Sequence, residues 1–422
     1  MENNTKIKVV DSIMGQGKTT WAIDFMKENI SMDNFLYITP FIDEVKRVRE
    51  DVKHVTEPKA VRGSKLNHIR ELTSEGRSII STHSLLSRFD LDIQDNIELG
   101  RYTLILDEVA DVVHQHEFNT EADKRDFFQY YAKVNEEGYV VWDEEAHPVE
   151  EYSRGSKFYN EMILCLNKNL VELNDKLVMW ELPIEVFKKF KEVYILTYMF
   201  EGSVQKPYFD LYNIEYEYLS VKQGKLTPYE KTSKEVKQEL KQLINIIHNE
   251  TLNDIGNDTY ALSSTWFKKN IKKSGQTNAY VSRLKKNLVN FFKKYTDSSS
   301  DTNMWSTFMD YQPRLKGSGY GIASKHHVPF NIRATNKYQH KKALAYVLNV
   351  FPHTSLTMYF NSRQGLDEVN IDNDRFALST LIQWIWRSRI RRQDLDHESR
   401  QVDLYIPSSR MRGILESWLE SD

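Results

Sequence analysis

The chain has 422 residues, with 57 Lys and Arg against 60 Asp and Glu, a formal net charge of −3. That balance excludes a protein that is basic throughout, so any nucleic-acid site has to be a local patch. The length suggests about two or three domains. A hydrophobic content of 40% with 12% aromatics is enough for packed cores rather than a disordered chain. The single cysteine, Cys165, leaves no internal disulfide and no cysteine cluster for zinc or an iron–sulfur centre, which fits a reducing cytoplasm. No apolar run approaches the roughly 20 residues of a membrane span, and no signal peptide is recognisable. A cytoplasmic protein without a membrane partner is therefore expected.

The apolar run Ile7 to Val10 predicts a strand. Ser12-Ile13-Met14-Gly15-Gln16-Gly17-Lys18-Thr19 follows it and leads into Trp21-Ala22-Ile23-Asp24-Phe25-Met26, the start of a helix. Strand, glycine-containing loop and helix start are the setting of a phosphate-binding P-loop. Its glycines let backbone N–H groups point at phosphate oxygens, and the helix N-terminus adds partial positive charge. Gly15, Gln16, Gly17, Lys18, Thr19 and Thr20 are the expected nucleotide-binding residues. Lys18 would reach the β- and γ-phosphates, and the Thr19 hydroxyl would hold Mg²⁺. Ser12 stands where glycine or alanine is usual, and it is still small.

Phe35 to Ile38 reads as a strand ending in Thr39-Pro40, followed by a helix over 41–49. A helix is predicted over 65–72 and a short strand over 78–80, closed by Thr82-His83-Ser84. Thr103 to Leu106 is a buried-strand run ending in Asp107-Glu108-Val109-Ala110. An apolar strand followed by Asp-Glu is the Walker-B arrangement: Asp107 would bind Mg²⁺ through water, and Glu108 would position or deprotonate the attacking water. Strands alternating with helices imply a parallel sheet with helices on both faces, whose ligands bind at the carboxyl ends of the strands.

From 117 to 190 the pattern changes, and this stretch reads as a mostly helical insertion holding a strand at Gly138 to Trp142. A core strand returns at 192–197. The polar stretch from Val221 to Lys234 suggests a linker. A second series is expected to open with a strand at Tyr260 to Thr265. The lysine-rich segment 268–294 reads either as a solvated helix face or as a phosphate-contacting one. Leu344, Val347, Leu348 and Phe351 follow helical spacing, and Leu356 to Phe360 reads as a strand. Ala377 to Arg392 reads as one helix on which Arg387 and Arg391, four apart, share a face. An arginine set against a γ-phosphate adds on the order of 10³–10⁵ in rate. Trp384 and Trp386 are expected to be packing residues. His83, His114 and His116 are assigned no metal.

The order of these motifs resembles that of superfamily-2 helicases of the DEAD/DEAH type. Residues 12–19 match motif I and Asp107 to Ala110 match motif II. Thr39-Pro40 resembles motif Ia, and Thr82-His83-Ser84 the next nucleic-acid-contacting motif. Leu196 to Phe200 falls at motif III, Tyr260 to Thr265 resembles motif IV, and Asn331 to Asn336 lies near motif V. Gln383 and Arg387 keep the spacing of motif VI, with Trp386 replacing its glycine and Ile390 its second arginine. The pattern Gln-x₃-Arg-x-Arg-x-Arg is similar to that of herpesvirus origin-binding helicases and related phage proteins. The resemblance implies an α/β chain of two RecA-like domains, over 1–225 (insertion 117–190) and 251–422, joined by a linker over 226–250. It implies ATP and Mg²⁺ as cofactors and catalytic roles for Lys18, Asp107, Glu108, Gln383, Arg387 and Arg391, with Arg387, Arg389 and Arg391 all open as the arginine finger. Nucleic-acid contacts are expected at Thr39, Pro40, Thr82, His83 and Thr265.

The expected activity is that of an ATP-dependent helicase or translocase on nucleic acid, DNA rather than RNA, in phage or mobile-element replication or recombination, with replication proteins as further partners. Two alternatives stand beside it. A terminase-type packaging ATPase would cleave DNA with metal. An ATP-switched loading module would hydrolyse weakly and ignore nucleic acid, a role that does not need Glu108.

Overall fold

The computed structural model describes residues 5–61, 63–174, 177–272, 275–317, 322–332, 336–363 and 369–421. Lys273, and residues 333–335 of the expected motif V, lie outside them. The chain divides into two compact units: residues 1–11, 16–229 and 352–371 form the first, and 12–15, 230–351 and 372–422 form the second.

The first unit opens with β1 (Lys6–Asp11), α1 (Lys18–Asn29), β2 (Phe35–Thr39), α2 (Ile42–Asp51), α3 (Lys65–Ser74), β3 (Ile79–Thr82), α4 (His83–Leu86), α5 (Leu91–Leu99) and β4 (Thr103–Asp107). The insertion follows as β5 (Val113–Gln115), α6 (Glu121–Asp126), β6 (Ala132–Val134), β7 (Val140–Trp142), α7 (Tyr159–Leu166), β8 (Leu170–Leu173), β9 (Leu177–Glu181) and α8 (Glu185–Lys188). The main sheet resumes with β10 (Glu192–Thr197), α9 (Gln205–Leu211), β11 (Tyr216–Lys222) and β12 (Lys225–Pro228). Seven strands pair in the order β12-β11-β1-β10-β4-β2-β3, all parallel except for the β11–β12 hairpin.

Central strands covered on both faces read as continuous apolar runs, and β2 and β4 are buried throughout. Their side chains alternate between two cores. Val9, Leu36, Ile38, Leu104, Leu106 and Ile195 face α3, α5 and α9, whereas Val10, Phe35, Tyr37, Ile105 and Leu196 face α1 and α2. Caps set the helix starts: the Ser64 hydroxyl accepts from the Leu66 amide, and the Asp90 carboxylate from the Ile93 amide.

The insertion is organised differently from the expectation. Beside its helices it carries two antiparallel sheets, β5-β9-β8 and β6-β7, and a π-helical turn over Phe127–Tyr131. The residues expected to form a linker, 226–250, are ordered as the end of β12, then α10 (Lys234–Leu243) and β13 (Ile244–Ile246).

The second unit continues with α11 (Glu250–Asn253), α12 (Ser264–Asn270), α13 (Ala279–Lys294), β14 (Asn303–Ser306), α14 (Gln312–Leu315) and β15 (Ala343–Tyr346). Residues 260–263 form turns rather than the predicted strand, because the Ser263 hydroxyl caps α12 by accepting from the Trp266 amide. The predicted helix around Leu344 is strand β15. A run buried from Ala343 through Val350 satisfies both periodicities, and pairing with β14 decides it.

The predicted strand 356–360 is helix α15 (Thr354–Ser362), and it belongs to the first unit, where Tyr359 and Phe360 are fully buried in the core shared with the insertion. The chain then returns to the second unit through α16 (Asn373–Ile385), α17 (His397–Arg400), β16 (Val402–Tyr405) and α18 (Ser409–Glu420). The second sheet runs β13-β16-β15-β14, all parallel. The α/β class therefore holds for both units. Phe291 of α13 stacks on Tyr405 of β16, and Tyr346 of β15 meets Trp384 of α16 edge to face.

Helix α16 stops at Ile385, short of the predicted Arg392. The Trp386, Arg387 and Ser388 amides close onto the carbonyls of Ile382, Trp384 and Ile385, and the Ser388 hydroxyl donates to Ile385 O at 2.7 Å. Ser388 is extended, and a 3₁₀ turn, Arg389–Arg391, follows. Arg387 and Arg391 thus do not share a helix face.

Candidate nucleotide site

The site is built at the carboxyl ends of the parallel strands of the first unit. Pairing sets Asp11 of β1 opposite Thr197 of β10, and Leu196 of β10 opposite Asp107 of β4. Beyond β4 the row continues with Thr39 of β2 opposite Thr82 of β3. β10 therefore lies between the strand that feeds the glycine loop and the strand that ends in Asp107.

Gly15 and Gly17 have φ values of 87° and 89°, in the left-handed region where a Cβ is disfavoured. Gly17 is also the N-cap of α1, and its carbonyl accepts from the Trp21 amide at 2.8 Å. The loop consequently delivers Lys18 and Thr19 as the first two residues of the helix, the end at which a helix attracts an anion.

Asp107 is buried, and its two oxygens are separately engaged. Thr19 donates its hydroxyl to Oδ1 at 3.4 Å, and Tyr37 donates its hydroxyl to Oδ2 at 3.0 Å. Burial above all, with the neighbouring Glu108 and Glu44 carboxylates, pushes the Asp107 carboxyl up to about 7. The Tyr37 hydrogen bond and Lys18 pull the other way. A buried carboxylate beside a hydroxyl, kept near half-protonation by too little counter-charge, is a donor set that suits a hard divalent cation. Thr19 and Asp107 thus fit the Mg²⁺ of a bound nucleotide.

Glu108 adopts φ 81°, unusual for a glutamate, and its amide donates to Leu196 O at 2.9 Å. β4 ends at Asp107, directly before this left-handed residue. Backbone held in a sparsely populated region clusters at functional sites.

Two contributors escaped the sequence reading. Asp11 accepts the Met199 and Phe200 amides at 2.9 Å each, which pins the turn after β10, and burial raises its carboxyl above the usual carboxylate range. An acidic residue ending an apolar strand directly before the loop was the available signal. Tyr37, in the middle of an apolar run, gave no signal beyond its hydroxyl.

Lys18, Thr19, Asp107 and Glu108 are thus together in one unit. Gln383, Arg387 and Arg391 belong to the second. There Arg387 is buried, and desolvation lowers the pKa of Arg391. Gln383 donates to the Ser379 hydroxyl at 3.3 Å, and Trp384 and Trp386 are buried.

Of the expected nucleic-acid residues, Thr82 and His83 are half-buried at the end of β3, with the Thr82 and Ser84 hydroxyls 3.1 Å apart. Thr39 is fully buried, so its side chain has no surface to offer a strand, whereas Pro40 is partly exposed. Thr265 is exposed, on α12 rather than at a strand end. His114 stacks on Trp180 and pairs with Asp111, and His116 packs edge-on to Phe118. Among the described residues no cluster of three or more His, Cys, Asp or Glu could hold a metal, and no helix is long and apolar enough to cross a membrane.

Residues 238–419 match a family model described as the YonV C-terminal Rossmann-like domain. A solved structure of the DUF1998 helicase MrfA bound to DNA and AMPPNP is similar at a TM-score of 0.32 and 8% identity. That match covers 98% of this chain, which spans about half (48%) of the MrfA chain. A Bacillus subtilis (strain 168) protein, described as SPbeta prophage-derived uncharacterized protein YonV, is 36% identical over 428 residues, covering 99% of both chains. The chain belongs to the YonV family.

Proposed function

We propose that the protein is an ATP-dependent nucleic-acid translocase or helicase, acting on DNA, in prophage replication or recombination. The observation that carries the nucleotide part is the Thr19–Asp107 pair beside the glycine loop, with a buried carboxylate short of counter-charge. The prophage origin of the relative supports the setting.

The loop amides and Lys18 would bind the β- and γ-phosphates, and Thr19 and Asp107 would hold Mg²⁺, which when bound would neutralise charge on the phosphate oxygens. Glu108 orients the attacking water and takes its proton. Asp11 holds the turn after β10 through the Met199 and Phe200 amides, and in this reading that turn couples to the γ-phosphate. Arg387, Arg389 and Arg391 remain the candidates for the arginine that would supply further charge in the transition state.

The test is ATP turnover by the purified chain alone and with single-stranded DNA, duplex DNA or RNA. Strong stimulation by DNA is expected. Lys18→Ala should lower turnover by about 10²-fold or more while leaving DNA binding intact. Turnover that ignores every polymer removes the motor reading, and normal turnover in Lys18→Ala removes the site.

A further inference from the structure

Charge is unevenly divided along this chain. Between residues 264 and 351 there are sixteen lysines and arginines, against three aspartates (Asp297, Asp301 and Asp310) and no glutamate. The whole chain has a net charge of −3, so this one stretch opposes the sign of the remainder. It lies wholly within the second unit.

The fold turns much of that charge outward on one helix layer. α13 buries Val281, Leu284, Leu288, Phe291 and Phe292 against its sheet and contains no acidic residue. Arg283, Lys286, Lys293 and Lys294 are exposed, and Arg283 pairs with Asp254. Lys268 and Lys269 are exposed on α12. Arg314 of α14 lies over the backbone of Gly275, so close that a Cβ there would meet its guanidinium, which ties α14 to the loop between α12 and α13. Tyr280, at the start of α13, is 60% exposed.

We propose that this outer face of α12, α13 and α14 binds a single nucleic-acid strand through its phosphate backbone, with Tyr280 as a stacking platform for a base. The choice of ligand rests on the function proposed above, whereas the charge on the face does not. A sixteen-residue helix extends about 24 Å, enough for several successive phosphates. Basic side chains along a track with an exposed aromatic are what sequence-independent single-strand binding uses. The apolar side of α13 is committed to the core and cannot insert into a lipid surface.

The experiment measures binding of a fluorescent oligothymidylate to the full chain without ATP across a range of salt. The variant Arg283→Gln/Lys286→Gln/Lys293→Gln/Lys294→Gln should bind about tenfold more weakly at moderate salt. Its plot of log K against log salt should flatten by about 0.7 for each phosphate that the variant no longer neutralises. Lys268→Glu/Lys269→Glu, on a different helix, should weaken binding independently. Tyr280→Ala should weaken single-strand binding more than duplex binding.

The quadruple variant should keep its basal ATP turnover and melting temperature. Unchanged affinity and slope in both charge variants overturn the proposal, as does preference for duplex, for phosphatidylserine vesicles or for polyglutamate. Lys18→Ala should bind the oligonucleotide normally, so a failure of the ATPase reading shows in turnover and a failure of this one in the salt slope.

Discussion

Asp107 is the residue on which the site turns. Folding raises its carboxyl to about 7 from an ordinary value of 3.8. The folded state thus favours the protonated acid, and that stabilisation is complete below about pH 4 and lost as pH rises through about 7. Binding of Mg²⁺ needs the carboxylate, so it runs the other way. The affinity for Mg²⁺ with a non-hydrolysable ATP analogue should fall by up to about tenfold per pH unit below 7. Melting temperatures with and without the ligand at pH 6 and pH 8 check this, and an increment larger at pH 6 contradicts it. Tyr37→Phe removes the hydroxyl that holds Asp107 down, so the midpoint of this dependence should move to higher pH. The loss of that hydrogen bond should cost about 1 kcal/mol.

Among the elements, α15 is held in the first unit by a buried polar cluster. Glu181, 1% exposed at the end of β9, accepts the hydroxyls of Tyr212 and Tyr359, with Arg363 Nε 4.0 Å away. Arg363 also donates to the hydroxyls of Tyr139 and Tyr212. Arg363→Met leaves the carboxylate buried without its cation and should cost about 3 kcal/mol. Glu181→Gln in the same chain should restore part of that, as read from urea midpoints.

None of this cluster was legible in the sequence, because its members come from four distant segments and only packing unites them. What was legible is what local chemistry dictates. Gly15 and Gly17 demand left-handed backbone, Lys18 and Thr19 open a helix, and Asp107 ends an apolar strand. Segments with two readings failed: Leu344 to Phe351 fits helix and buried strand alike, and Leu356 to Phe360 has strand-like residues at helix-compatible spacing. Arg387 and Arg391 misled because Ser388 breaks the periodicity they rely on.

Past the short 12–15 segment, the chain stays in the first unit to Tyr229, leaves it, returns for residues 352–371, and leaves again. A fragment ending at Tyr229 therefore lacks Tyr359 and Phe360, which are fully buried in its core. It should bind a hydrophobic dye and be cleaved quickly by protease, whereas adding a peptide of residues 352–371 should reduce both. A fragment spanning 238–419 should show the complementary fault, a helix with exposed Tyr359 and Phe360. Equal protease resistance of the 1–229 fragment and the full chain would contradict the division. The same threading bears on synthesis. A ribosome working at roughly 5–20 residues per second needs on the order of ten seconds to go from Tyr229 to Ile371. For that interval the first core waits incomplete while the second is being made, so the nascent chain has a built-in window for chaperone capture.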